Sequence, residues 1–452
     1  MKNIIRTGAL AGAIIAASAQ AASPSQMIGI NVVLNQDVSP QLLADIGRFG
    51  KVRDVMESID ALTIQARSGD LAAIQALPYV AGANPDQSRS GRPVDTVAVS
   101  DFANGVSTWN LDAVNVTDLG TGRTEGFDGT GVYVAVLDTG LVGNWRRYFP
   151  QERIASQYGA AFGGGGGNAG TVSTQPDKWG RDQDSHGTHV TSTILGYSLG
   201  GVSVNGVAPM ATVIPVKTLG QNGSGWSSVI ARGITYVADL KAGPLAGAPV
   251  VINMSLGGSV LDAIEKAALD YAISKGVIIV ASAGNSGTRG MGYPGAYAPV
   301  ISVAATGWTG EWVGGRTWWF SRDVPDPTDI RDNFIANFSS RQKAGQDLDV
   351  AAPGSAVVGP YEVNSGQLSY YFLSGTSMAS PHVAGIAALM LQKNPGLSQA
   401  EVEAILEDSA IPLPAGSRTV SSPSGSVSTV SWGADATGAG IVTADRALGL
   451  TP

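Results

Sequence analysis

Residues 250–285 read VVINMSLGGSVLDAIEKAALDYAISKGVIIVASAGN, and the fold is decided in this stretch. VVINM and VIIVA are near-continuous apolar runs of strand length, rich in β-branched residues. A strand apolar on both faces has no solvent side, so it belongs in a parallel sheet covered above and below. Between the two runs, VLDAIEKAALDYAISKG spaces its apolar residues along one helical face and closes at Gly276, a common helix terminator. The same alternation extends outward. VYVAVL (132–137) and TVIPVKTL (212–219) precede it, VISVAA (300–305) follows, and SSVIARGITYVADL supplies another connecting helix. Two late helices are expected at SMASPHVAGIAALMLQK and LSQAEVEAILEDSA, the second opened by Ser398 and Glu401 at capping-box spacing. The expected class is α/β, a parallel sheet flanked by helices on both faces, over residues 105–452.

The front of the chain reads differently. MKNIIRTGALAGAIIAASAQAA has Lys2 and Arg6, a short apolar run, then Ala19-Gln20-Ala21, the pattern of a secretory signal peptide over residues 1–22. Its apolar run is shorter than the ~20 residues a membrane span needs. Export to the periplasm or the medium is therefore expected. From Met27 to about Val80, short apolar runs alternate with SPQLLADIGRF and SGDLAAIQAL, each opened by a serine suited to N-capping. This predicts a small α+β unit. GANPDQSRSGRPVD (82–95) is polar and turn-rich, so a linker open to proteolysis is expected there. The division expected is 1–22, 23–104 and 105–452.

Composition narrows the function. The chain has no cysteine, which removes disulfides and thiolate chemistry. With 44% apolar residues it can build a large core instead. A net charge of −8 argues against nucleic acid and anionic membranes as partners.

In open parallel sheets, ligands meet the carboxyl ends of the strands. The residues just past those ends are Asp138-Thr139-Gly140, Ser255-Leu256-Gly257-Gly258 and Gly284-Asn285. All three histidines, His186, His189 and His382, lie in HGTHV and GTSMASPH, which open helices. A hydroxyl nucleophile needs a base in hydrogen-bond reach and a carboxylate to hold that base. Zinc chemistry is not indicated, because HExxH spacing is missing. GTSMA has Ala379 where a nucleophile elbow needs glycine.

DTG (138–140), HGTHV (186–190), NMSLGG (253–258), ASAGN (281–285) and GTSMASPHVAG (375–385) together resemble the subtilisin-like serine proteases. The resemblance implies a triad of Asp138, His186 and Ser377, with Asn285 in the oxyanion hole. It implies a peptide clamp made by Ser255, Leu256 and Gly257 opposite Gly223, Ser224 and Gly225, and a first pocket lined by Ala283 and Gly284. Partners would be protein or peptide substrates and the chain's own inhibitory propeptide, represented by the N-terminal α+β unit. No cofactor is required for such chemistry. A catalytically silent peptide-binding protein on the same fold is the alternative. His189 and His382 are expected to be satisfied inside the fold. A neutral base at His186 predicts a rate that falls below roughly pH 6.5.

The sequence departs from that family in three respects. NWRRYF (144–149) and GYSLGGVSV (196–204) lack the ligands of its frequent calcium site. Residues 162–170 carry five consecutive glycines, where a mobile insertion is expected. Residues 307–332 hold four Trp and four Asp, read as a surface excursion with its own aromatic cluster. Asp323, Asp326, Asp329 and Asp332 are candidate ligands there for a structural calcium ion.

Overall fold

The computed structural model describes residues 23–99, 109–118, 122–199, 202–314, 329–363 and 369–452. The signal-peptide stretch and the expected 104/105 boundary lie outside them.

The centre is a nine-stranded sheet. Across it run Ala160–Gly165, Thr212–Lys217, Tyr133–Asp138, Val250–Met254, Val277–Ser282 and Ile301–Trp308, each parallel to the next. Val350–Pro353 adds to Ile301–Trp308 in parallel, whereas Asn333–Ile335 and Asn168–Ser173 are antiparallel additions at the two edges. Successive residues of Tyr133–Asp138 enter opposite cores. Val134 and Val136 pack beneath the Thr376–Lys393 helix, while Ala135 and Leu137 pack beneath Ser227–Ala242 and Ala263–Ser274. The two-sided apolar pattern of the strands is thus satisfied by helices on both faces.

The N-terminal unit is a four-stranded antiparallel sheet ordered Gly50–Met56, Ala61–Arg67, Met27–Leu34, Val80–Pro85. Ile30, Val32, Leu62, Ile64 and Ile74 form its own small core. It docks on the Ser227–Ala242 and Ala263–Ser274 helices. Asp86 accepts from Ser228 N at 3.0 Å and Ser228 Oγ at 2.7 Å, so it supplies the acceptor that the free N–H groups of that helix start require. Asp262 caps its own helix through Ile264 N at 3.0 Å and accepts from Asn31 and Asn84 of the N-terminal unit. Arg232 pairs with Asp54 across the same interface.

Two expectations are corrected. The 82–95 stretch is not a free linker. It forms Val80–Pro85 and Ser88–Ser90 and leads into Asp95–Ala98, all paired to neighbouring strands. Its polar side chains disguise a segment whose backbone makes the bonds. Residues 162–170 are not a loose insertion either. They turn a hairpin between Ala160–Gly165 and Asn168–Ser173. Gly164 to Gly167 all sit at positive φ, where glycine carries no steric penalty, and a Cβ at Gly165 would lie 2.6 Å from Trp226 Cβ. The Ser/Thr-rich 417–439 region contains most of the hairpin Gly416–Ser421 and Val427–Trp432.

Candidate active site

Asp138 ends its strand fully buried, and His186 opens the His186–Leu195 helix, also fully buried. His186 Nδ1 lies 2.8 and 2.9 Å from the two Asp138 carboxylate oxygens. The close approach depends on Gly187, where a Cβ would stand 2.4 Å from Gly140 O. Thr139 ties the two elements together. Its Oγ1 donates to Asp182 at 2.7 Å and accepts from Gly187 N at 2.9 Å. Asp182 also accepts from Ser185 N at 2.7 Å, in the turn where Ser185 adopts φ +77°. Burial pushes the Asp182 carboxyl above its ordinary pKa, against the pull of Lys217. Burial alone would lower the His186 pKa. Asp138, with Asp184 and Asp182 behind it, outweighs burial and holds it above the usual histidine value.

Ser377 is the second residue of the Thr376–Lys393 helix and 3% exposed. Its Oγ donates to Ser255 O at 3.1 Å. His186 Nε2 is buried and has no hydrogen-bond partner among the described residues. The serine–histidine bond is thus open in this state. Asn285 Oδ1 accepts from Thr376 N and Thr376 Oγ1, both at 2.9 Å, which leaves its NH₂ group as the donor end of the amide. Asn285, Gly284, Thr376 and Ser377 line one cleft of about 530 Å³.

His189 Nε2 donates to Val357 O at 3.1 Å, and burial beside His186 pushes its pKa down to about 3. His382 Nδ1 donates to Met378 O at 2.8 Å, leaving Nε2 to accept from Asn110 at 2.8 Å. Burial lowers its pKa to about 4. Both rings are buried and neutral, but the expectation of satisfied side chains holds in full only for His382, since His189 Nδ1 has no hydrogen-bond partner among the described residues.

The candidate clamp residues hold a segment of the chain itself. Ser88–Ser90 runs antiparallel to Ser224–Trp226. On its other side Ser90 exchanges two hydrogen bonds with Gly257, both 3.0 Å. Gly91 N donates to Gly223 O at 3.0 Å, and Val94 N donates to Ser374 O at 2.7 Å. Only Arg92 and Pro93 lie between those last two anchors, and a Cβ on Gly375 would stand 3.7 Å from Pro93 Cα, so the pair passes the start of the Thr376–Lys393 helix. Gly284 lines the cleft, but Ala283 is buried behind it, and Met291 and Gly292 take that wall instead.

Thr376 and Asp182 have no role in the sequence reading, although Thr376 lies inside GTSMASPHVAG. The 88–94 segment is expected as a linker within the propeptide region, and its strand pairing with both clamp segments is what that reading lacks. Of the acidic cluster, Asp323 and Asp326 lie outside the described residues, and Asp329 is paired with Arg331 at 2.7 Å. No group of three or more metal-ligating side chains occurs among the described residues.

A carboxylate-held imidazole and a helix-start serine on the carboxyl edge of a parallel sheet define a serine hydrolase site. Residues 129–444 match the Subtilase family, and the chain belongs to it, a family of serine endopeptidases. It is 33% identical over 357 residues to M-protease of Shouchella clausii, covering 79% of this chain and 76% of that one. It is 35% identical over 305 residues to Subtilisin Savinase of Lederbergia lenta, covering 68% of this chain and 91% of that one. Among solved structures, fervidolysin from Fervidobacterium pennivorans, described as a keratinolytic enzyme related to subtilisin, superposes with a TM-score of 0.65 at 25% identity. That match covers 95% of this chain, which spans 62% of the longer fervidolysin.

Proposed function

We propose that this chain is an exported serine endopeptidase made as a zymogen, with Asp138, His186 and Ser377 as its triad. Ser377 Oγ attacks the scissile carbonyl while His186 Nε2 takes its proton. Asn285 and the Ser377 N–H donate to the oxyanion. His186 then returns the proton to the leaving amine, and water hydrolyses the acyl-enzyme by the same steps. Asp138 fixes the Nδ1–H tautomer and stabilises the charged ring. The observation that carries this reading is the buried imidazole, bonded at Nδ1 to Asp138 and left free at Nε2. No step calls on a metal or cofactor, and a calcium ion at Asp323, Asp326, Asp329 and Asp332 would be structural only. Export rests on residues 1–22. No helix among the described residues is long and apolar enough to cross a membrane.

The zymogen reading rests on residues 88–94, which occupy both clamp strands in the register of a bound peptide. At the crossing, the residue after the candidate scissile bond is Pro93. Its nitrogen carries a ring carbon where other residues carry hydrogen, which crowds the position to which His186 must deliver a proton. The segment therefore acts as a slow substrate, an inhibitory strap. Labelling with phenylmethanesulfonyl fluoride tests the nucleophile. The expected result is a single sulfonyl adduct on the peptide carrying Ser377, with loss of caseinolytic activity in step. Full caseinolysis after complete labelling elsewhere would sink it. A chain that neither labels nor digests casein would be the silent peptide-binding protein.

A further inference from the structure

One side chain of the strap is fully buried. Alternation along Ser88–Ser90 leaves both serines exposed and turns Arg89 inward, where it is 1% exposed. Its Nε donates to Glu265 Oε1 at 3.0 Å, Nη2 donates to Glu265 Oε2, and Nη2 also reaches Val260 O at 3.0 Å. Both side chains of the pair are fully buried. Glu265 belongs to the first turn of the Ala263–Ser274 helix, so the carboxylate stays with the hydrolase unit when the strap leaves. Gly258 makes room for the guanidinium, since a Cβ there would stand 2.5 Å from Arg89 Nη1.

We propose that Glu265 makes this recess a specificity site for arginine in substrates, at the fourth residue before the scissile bond. The position follows from the register: with Arg92–Pro93 at the nucleophile, Gly91 is second, Ser90 third and Arg89 fourth. The inference rests on the protease reading above. When the strap leaves, the carboxylate loses a two-point partner, and a buried charge without its partner is costly. A substrate arginine restores the fork-to-fork pair and the bond to Val260 O. Lysine offers a point charge without the planar fork, and so binds less well. Asp262, which caps the same helix, adds negative charge near the guanidinium.

The test uses the processed enzyme and one peptide series that varies only at the fourth position: arginine, citrulline, lysine, leucine and glutamate. Citrulline keeps the shape and removes the charge. The expected kcat/KM for arginine exceeds that for citrulline by roughly 10- to 100-fold, the range of a charge-assisted hydrogen bond. In Glu265→Gln that ratio collapses toward one, chiefly because the arginine peptide is cut more slowly. Equal kcat/KM for arginine, citrulline and leucine in the wild-type enzyme would overturn the inference and leave the protease reading standing. Cleavage of no peptide would remove the protease reading, and this inference with it.

Discussion

His186 is buried, yet the carboxylates around it keep its pKa above the ordinary value. The base works only when neutral, so raising its pKa moves the acid limb of the rate upward. We expect kcat/KM to fall through a pH above 6.5, the unperturbed value; a profile flat down to pH 5 would remove His186 from its role. Asp138→Asn leaves the ring in place but in the wrong tautomer, and kcat should fall by roughly 10⁴-fold. Asn285→Ala should lower kcat by roughly 10²–10³-fold with little change in KM, the size known for a subtilisin's oxyanion asparagine. Thr376→Val removes one of the two bonds that orient Asn285, so a smaller loss in kcat is expected, with KM again unchanged. At this scale the sequence was informative where a residue sits in a motif, as His186 and Ser377 do. Thr376 stands in the same motif as Ser377, but its role, like that of Asp182, exists only when distant segments meet. Asp182 lies 43 positions from Thr139 in the chain, and no local pattern marks that contact.

At the scale of elements, the strands and helices of the central sheet were legible because burial on both faces writes itself as unbroken apolar runs. Residues 82–95 were misread for the opposite reason. A strand held in a cleft by its backbone needs no apolar alternation, and this one has Ser88, Ser90 and Gly91 where a pattern would look for valine. The glycine run at 163–167 also looked loose, although its left-handed turn packs on Trp226. The strap account predicts that Pro93→Ala speeds processing at the bond after Arg92, read by timed N-terminal mass spectrometry. Unchanged timing would show that Pro93 does not restrain the cut. The docking element gives a second expectation. Asp86→Ala deletes the acceptor for Ser228 N and Oγ and for Gly166 N. Inhibition of the mature enzyme by the separately added N-terminal unit should weaken at least tenfold, from charge-assisted bonds of about 1.5–3 kcal/mol each.

At the scale of the whole molecule, one chain contains a hydrolase, a unit that packs on two of its helices, and a strap through its cleft. The N-terminal unit covers the starts of Ser227–Ala242 and Ala263–Ser274, and the strap continues from it past Ser377 to pair with Tyr370–Ser374. On the proposed zymogen reading, the molecule is inactive until the strap is cut or displaced. The most direct measurement is to express the wild-type chain and Ser377→Ala side by side and determine the N-terminus of each by mass spectrometry. The account predicts that the wild type loses its N-terminal unit and digests casein, while Ser377→Ala keeps that unit and does not. A Ser377→Ala chain trimmed as fast as the wild type and equally active on casein would contradict it.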